Sequence, residues 1–294
     1  MPLKIAIAIP TAGRARVLSD TLRVIALQSR IPDELLICPA RAEDLDASAL
    51  DDYTGKFSVC HGAVGLTSQR NLMLRSTESD IVIFFDDDFI PARDYVAEVE
   101  LLFEGYPAMI MATGNVLADG IAGPGLTHAE GLRILEGDQR DDLLSPPEPV
   151  YNGYGCNMAV RMHPVRQNRI DFDERLPLYG WLEDVDFSRR LARHGAISRS
   201  GRLRGVHLGT KGSGRSPGRR LGYSQIANPI YLARKGTMSW ERVARQILRN
   251  LTANSLGILF PEPWTDRAGR LAGNAVALRD LLTGKLKPEN ALRS

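Results

Sequence analysis

The sequence predicts an α/β fold, a mixed and mostly parallel sheet followed by a helical C-terminal extension. Three observations predict it. Residues 4–38 read strand, helix, strand, the opening of a parallel sheet. Residues 81–89, IVIFFDDDF, join a short run of β-branched and aromatic residues to three aspartates, which suits a strand covered on both faces and ending at a sheet edge. From residue 239 onward, apolar residues recur at helical spacing.

In order, residues 4–9 form a first strand stopped by Pro10, and Thr11, Gly13 and Arg14 form a turn. A helix follows over residues 16–28 with Leu18, Leu22 and Ile25 on one face, then a second strand over 34–38. Residues 44–53 suggest a short helix and 57–60 another strand. GLTSQRNLML opens a helix with Thr67 or Ser68 as cap and Gln69, Arg70 and Asn71 in its first turns. Residues 108–116 are a strand, 117–149 a long excursion over the site face, and 151–161, YNGYGCNMAVR, a return to the sheet. WLEDVDFSRRLARHG is a helix with acids in its first turn and Gly195 as C-terminal cap. At 100° per residue, Asp184 points inward with Phe187 and Leu191, and Asp186 outward. The tail carries two amphipathic segments, one from Trp240 and one over 266–282, for which packing on the domain is the default and an anionic membrane surface the other reading.

Composition excludes several classes. With 294 residues, 44% hydrophobic and 24% charged, the chain can bury a large core and is not chiefly disordered. Cys38, Cys60 and Cys156 are too scattered for a disulfide framework or zinc knuckle, and are expected as reduced thiols in a cytosolic protein. The first residues are too short an apolar run for a signal peptide, and no segment approaches the roughly 20 apolar residues of a membrane span. The net charge of +2 hides an asymmetry: twelve Lys or Arg and no acid lie between Phe187 and Trp240, which leaves −10 elsewhere. A metal ion and an anionic ligand held between the two zones would explain it.

The chemistry-bearing residues fall at the ends of these elements. Alternation sends Asp86 and Asp88 to one side and Asp87 to the other. At an effective dielectric of about 20, two carboxylates roughly 6 Å apart repel by about 3 kcal/mol, which a hard divalent cation relieves; a solvated acidic turn is the competing account. Arg70 stands where a helix N-terminus meets an anion. Asp184 is either a structural cap or a general base, and Trp181 either core or a platform for a sugar ring. In GVHLGTKGSGRSPGRRLG, glycines let the backbone close over a ligand, and Lys211, Arg215, Arg219 and Arg220 suit phosphate. His207 either completes a metal site or is merely hydrogen-bonded.

Taken in order, IAIAIPTAGRARVLSDTL, SQRNLML, IVIFFDDD, CNMAVR and LEDVDFSRRLARHG resemble family 2 glycosyltransferases, over roughly residues 4–235. The resemblance implies a single Rossmann-like domain of the A-type nucleotide-sugar-binding fold. Its catalytic domain would span 1–235, with a nucleotide-binding half at 1–116 and an acceptor-side half at 150–235, and 236–294 would be the helical extension. It implies a hexosyl- or deoxyhexosyltransferase that inverts the anomeric centre. Pro10, Thr11, Arg14, Gln69, Arg70, Asp86 and Asp87 would bind the donor nucleotide, and Asp88 and His207 a Mn2+ or Mg2+ ion. Lys211, Arg215 and Arg219 would hold the diphosphate, Asn157, Trp181 and Glu183 would contact the acceptor or sugar, and Asp184 would be the catalytic base.

The implied partners are a UDP, dTDP or GDP sugar and a glycan or lipid-linked acceptor, in the cytoplasm or at the inner membrane face, with no nucleic acid. Where many relatives carry a base-reading aspartate after the second strand, this chain has Pro39 and Ala40, leaving Glu43 or Asp44 as substitutes. A nucleotidyltransferase would want a more glycine-rich first loop than PTAGRAR, and an aspartyl-nucleophile phosphatase a threonine soon after the aspartates. A nucleic-acid binder would leave Asp86, Asp88 and Asp184 unexplained.

Overall fold

A computed structural model describes residues 2–139, 145–211 and 217–293. The chain begins β1 (Ile5–Thr11), α1 (Ala15–Ala26) and β2 (Glu34–Pro39), then passes through two 3₁₀ turns (Ala42–Asp44 and Ala47–Leu50) to β3 (Phe57–Val59). It continues through α2 (Leu66–Arg75), β4 (Ile81–Phe85), β5 (Phe89–Pro91), α3 (Tyr95–Gly105), β6 (Met109–Asp119), α4 (His128–Glu136), β7 (Glu148–Pro149) and β8 (Asn157–Arg161). After α5 (Met162–Asn168), α6 (Glu183–Leu191) and β9 (Ala196–His207), it ends in α7 (Gly218–Lys235), α8 (Trp240–Leu259), α9 (Arg267–Leu282) and a 3₁₀ stretch (Pro288–Arg293).

The strands form one mixed sheet in the order β3-β2-β1-β4-β8-β6-β9-β5, with β7 beside β9. The pairings run β1 to β4 and β6 with β9 in one direction, and β5, β7 and β8 against them. Alternation along β1 divides the core. Ile5, Ile7 and Ile9 pack with Leu18, Leu22 and Ile25 of α1 and Val96 and Val99 of α3, while Ala6 and Ala8 face Met73 of α2 and Phe187 and Leu191 of α6. Cys38, Cys60 and Cys156 are free and buried. Among the described residues no helix is long and apolar enough to cross a membrane.

Several local expectations are corrected. β1 does not stop at Pro10 but runs to Thr11. Its last partner on β4 is Phe84, opposite Ala8, so at Pro10 no second strand needs the missing N–H. Residues 44–53 hold 3₁₀ turns in place of an α-helix. Neither Thr67 nor Ser68 caps α2, whose N-cap is Gly65 at φ +101°. Their hydroxyls instead donate to Leu176 O and the Glu174 carboxylate, tying α2 to the segment that leads into α6. Gly195 lies beyond the end of α6 and permits close approach to the strand entry, since a Cβ there would sit 2.6 Å from Ala108 O.

The inward and outward assignments on α6 are exchanged. Asp186 is fully buried and accepts from Lys235 Nζ at 2.7 Å, Thr237 Oγ1 at 2.8 Å and Arg190 Nε at 3.0 Å, whereas Asp184 is half-buried. A helical wheel assigns one inner face, but the end of α7 returns to cover the other. Tyr223, Ile226 and Ile230 of α7 form a separate small core with Val243 of α8 and Ala277 of α9, so α7 joins the sheet domain to the C-terminal helices.

Candidate active site

The end of β4 is a tight turn, closed by Phe89 N–H donating to Asp86 O at 3.1 Å; it lets Asp86 and Asp88 present oxygens to a common space and turns Asp87 elsewhere. Asp87 is turned toward the β1–α1 loop, accepting from Thr11 Oγ1 at 2.7 Å and Arg14 at 2.8 Å. Burial, with Asp88 and Asp86 nearby, raises its pKa against the pull of Arg14. Asp88 accepts from Thr210 N–H at 2.7 Å and lies 3.3 Å from Arg14 and 3.4 Å from His207 Nε2. Although burial opposes it, His207, Arg14 and the Thr210 amide hold Asp88 well below the usual carboxylate range.

His207 reaches this cluster because β9 runs beside both β5 and β6, which sets it opposite Phe89 on one side and Asp119 on the other. Its Nδ1 is 2.9 Å from Asp119 Oδ1, and Tyr154 OH donates to Asp119 Oδ2 at 2.8 Å. Burial opposes the charged imidazole, but Asp119 and Asp88 raise its pKa to about 10. Asp86, Asp88 and His207 each present one donor atom, all within 4.8 Å of one another. Asp119 was missed in the sequence because 88 residues separate it from His207 and it sits in what reads as an irregular excursion.

Arg70 differs most from expectation. It is fully buried and does not line the cleft that opens beside Asp86 and Asp87. Its guanidinium lies over the Phe84 and Phe172 rings and donates to Glu183, to Asp86 at 3.1 Å and to Gly155 O at 2.7 Å. One cation thus ties the end of β4 to the head of α6. Glu183, expected at the acceptor, is consumed in this pair, and burial pushes its carboxyl well up despite Arg70.

Asp184, one residue on, keeps some exposure. Its oxygens accept from Val185 N–H at 2.8 Å and Gly155 N–H at 3.2 Å, and burial raises its pKa in spite of these bonds. The backbone leading to it holds Leu178 and Leu182 at φ +56° and +73°, a strained conformation for side chains of this size.

Beside the carboxylates opens a cleft of about 290 Å³. Pro10, Thr11, Arg14, Gln69, Asp86 and Asp87 line it, as do Ala40, Val64, Leu178, Tyr179, Pro217 and Arg220. Gln69 forms part of its floor, donating to Thr11 O at 2.9 Å and Cys38 O at 2.6 Å. Neither proposed substitute for the missing aspartate lines it. Asp44 accepts from Gly13 N–H at 2.7 Å and Arg41 N–H at 3.0 Å, holding the first loop, and Glu43 is exposed. Asn157 is also no surface contact, being fully buried with its amide oxygen accepting from Thr113. Trp181 is half-buried at the head of α6, its carbonyl accepting from Asn228. Lys211 donates to Gly120 O and Ile121 O, Arg219 is exposed in the first turn of α7, and Arg215 lies outside the described residues.

The family model described as Glycosyl transferase family 2 matches residues 6–168. Among solved structures, S. aureus TarS is 16% identical at a TM-score of 0.52, with 77% of this chain and 40% of that one covered. The 1–349 portion of TarS in complex with UDP-GlcNAc aligns at 16% identity and a TM-score of 0.51, covering 77% of this chain and 67% of that one. The mannosyltransferase PcManGT from Pyrobaculum calidifontis, in complex with GDP-Man and Mn2+, aligns at 15% identity and a TM-score of 0.54 over 99% of this chain and 79% of its own. Comparison with curated proteins finds no match. With the family model spanning more than half of the sequence, the chain belongs to glycosyl transferase family 2 and has its A-type fold.

Proposed function

We propose that this chain is an inverting, divalent-cation-dependent glycosyltransferase that moves a sugar from a nucleoside diphosphate to an acceptor hydroxyl, with Asp184 as general base. The observation that carries this reading is the Arg70 bridge. It holds Asp86, beside the cleft, at a set position relative to the head of α6, where Glu183 and the proposed base Asp184 sit. The cleft would take the nucleoside between Pro10, Ala40, Val64 and Gln69, and Arg220 at its margin would face the diphosphate. That the relatives were solved with UDP-GlcNAc and with GDP-Man supports a nucleotide-sugar donor.

Two carboxylates and one imidazole make a donor set suited to Mn2+ or Mg2+, and Asp86, Asp88 and His207 would hold the ion. When bound, it would neutralise charge on the departing nucleoside diphosphate. Asp184 would take the proton of the attacking hydroxyl, and single displacement would invert the anomeric carbon. Its raised pKa makes it a better base than an exposed aspartate. We place the reaction in the cytoplasm, with a glycan or lipid-linked glycan as acceptor.

The test is a thermal-shift panel of UDP, dTDP and GDP and their sugars, with and without Mn2+ or Mg2+. One nucleotide is expected to stabilise the protein only when metal is present, by about 2.7 kcal/mol at a hundredfold excess over its Kd. No metal-dependent response to any of them would overturn the reading. Asp119 acts as a positioning residue here. By accepting from His207 Nδ1–H it leaves Nε2 as the ligating nitrogen, so Asp119→Asn should weaken Mn2+ binding about 10- to 100-fold by calorimetry. Unchanged metal affinity would show that Asp119 serves the fold alone.

A further inference from the structure

α8 is a 20-residue helix in which only Val243 and Asn254 are buried. Its outward side is itself divided. At 100° per residue, Trp240, Leu248 and Leu259 fall within about 100° of one another, and Arg242, Arg245 and Arg249 occupy the adjoining arc of about 60°. The apolar members stand in the open, with Trp240 60%, Leu248 67% and Leu259 71% exposed. Two aromatic residues of the segment between α8 and α9 are also exposed, Phe260 at 77% and Trp264 at 38%.

This turn is built, because Arg267 pairs with Glu262 at 2.6 Å and Asp266 caps α9 by accepting from Gly269 N–H at 2.7 Å. Large apolar side chains are therefore held on the outer side of an ordered hairpin, away from the small core that Val243 of α8 and Ala277 of α9 share with α7. Large apolar side chains exposed together on one helix face and its following turn mark an interaction surface.

We propose that this face of α8 and the α8–α9 turn form a docking surface for an anionic lipid bilayer. Charge selects lipid over a second copy of the chain. The acids of α8 and the turn are already engaged, Glu241 with Arg245, Glu262 with Arg267 and Asp266 at the head of α9, so the same face of a second copy has no uncommitted acid to offer the arginines, whereas anionic headgroups do. Apolar residues with aromatic members on one arc and arginines beside them are the arrangement by which a helix lies in a membrane interface, its arginines reaching back to the headgroups.

The surface also has a fixed place relative to the cleft. A Cβ on Gly218 would lie 2.3 Å from Asp266 Oδ2, so the turn abuts the first turn of α7, next to Pro217 and Arg220 of the cleft wall. Docking would bring the cleft to the bilayer and favour a lipid-linked acceptor. That last step rests on the glycosyltransferase reading; the docking does not.

The test is vesicle co-sedimentation of the full chain with phosphatidylcholine alone and with added phosphatidylglycerol, alongside quenching of tryptophan fluorescence by brominated lipid and light scattering for oligomeric state. Wild type should sediment with anionic vesicles and show quenching. Leu259→Glu/Phe260→Glu should bind at least about tenfold more weakly, and Arg245→Glu/Arg249→Glu should lose the preference for anionic lipid. Thermal shift with nucleotide and metal, which needs no vesicles, reports separately on the fold and the donor site. Wild type that neither sediments nor is quenched overturns the proposal, even if the variants prove unstable. So does a wild-type dimer that these substitutions dissociate, which would assign the face to a second copy.

Discussion

Asp184→Asn should lower the rate of sugar transfer by about 10²- to 10⁴-fold, the usual contribution of a general base, while leaving the nucleotide Kd within about a factor of two. The substitution keeps size, but its single oxygen can accept from only one of the two backbone N–H groups that the carboxylate serves with separate oxygens, and it cannot take the acceptor's proton. The pH dependence follows from the direction of its pKa. Burial raises it, so as pH falls Asp184 takes up a proton earlier than an exposed aspartate would, and the acid limb of the rate profile should lie above the ordinary aspartate range. That limb should vanish in the Asn variant. Steady-state kinetics with nucleotide titrations decide it: equal loss of binding and transfer would remove Asp184 from the chemical step.

Arg70→Met should cost about 3–5 kcal/mol of folding stability and weaken metal and nucleotide binding together. Met fills much of the space between Phe84 and Phe172 but leaves Glu183 buried without its cation, and Asp86 without the donor that orients it. Arg70→Lys should not rescue the site, because an ammonium lacks the planar fork that reaches Glu183, Asp86 and Gly155 O at once.

The sign of the pH effect can be worked out. Glu183 in the folded variant would hold a proton at pH values where the unfolded chain has lost it, so the deficit should shrink as pH falls through that interval. Urea unfolding at several pH values measures this. A Met variant within about 1 kcal/mol of wild type with intact metal affinity would mean that Arg70 neither holds the fold nor positions Asp86.

Local chemistry made much of this protein legible in its sequence. The strands Ile5–Thr11, Glu34–Pro39 and Ile81–Phe85 are short, largely apolar runs, buried on both faces, and such runs announce themselves without knowledge of their neighbours. The ordered motifs identified the family for the same reason, since each is contiguous in the chain.

What remained was settled by contacts between distant segments. Asp119 became the partner of His207 only when β6 and β9 paired. Asp186 and Asp184 exchanged roles because α7 covers a helix face that a wheel leaves to solvent. Arg70 could be placed near an anion from its position in α2, but not that its anions would be Asp86 and Glu183, the latter 113 residues away. A charged side chain can be buried only where partners compensate its lost hydration, and the tertiary structure alone determines which partners arrive.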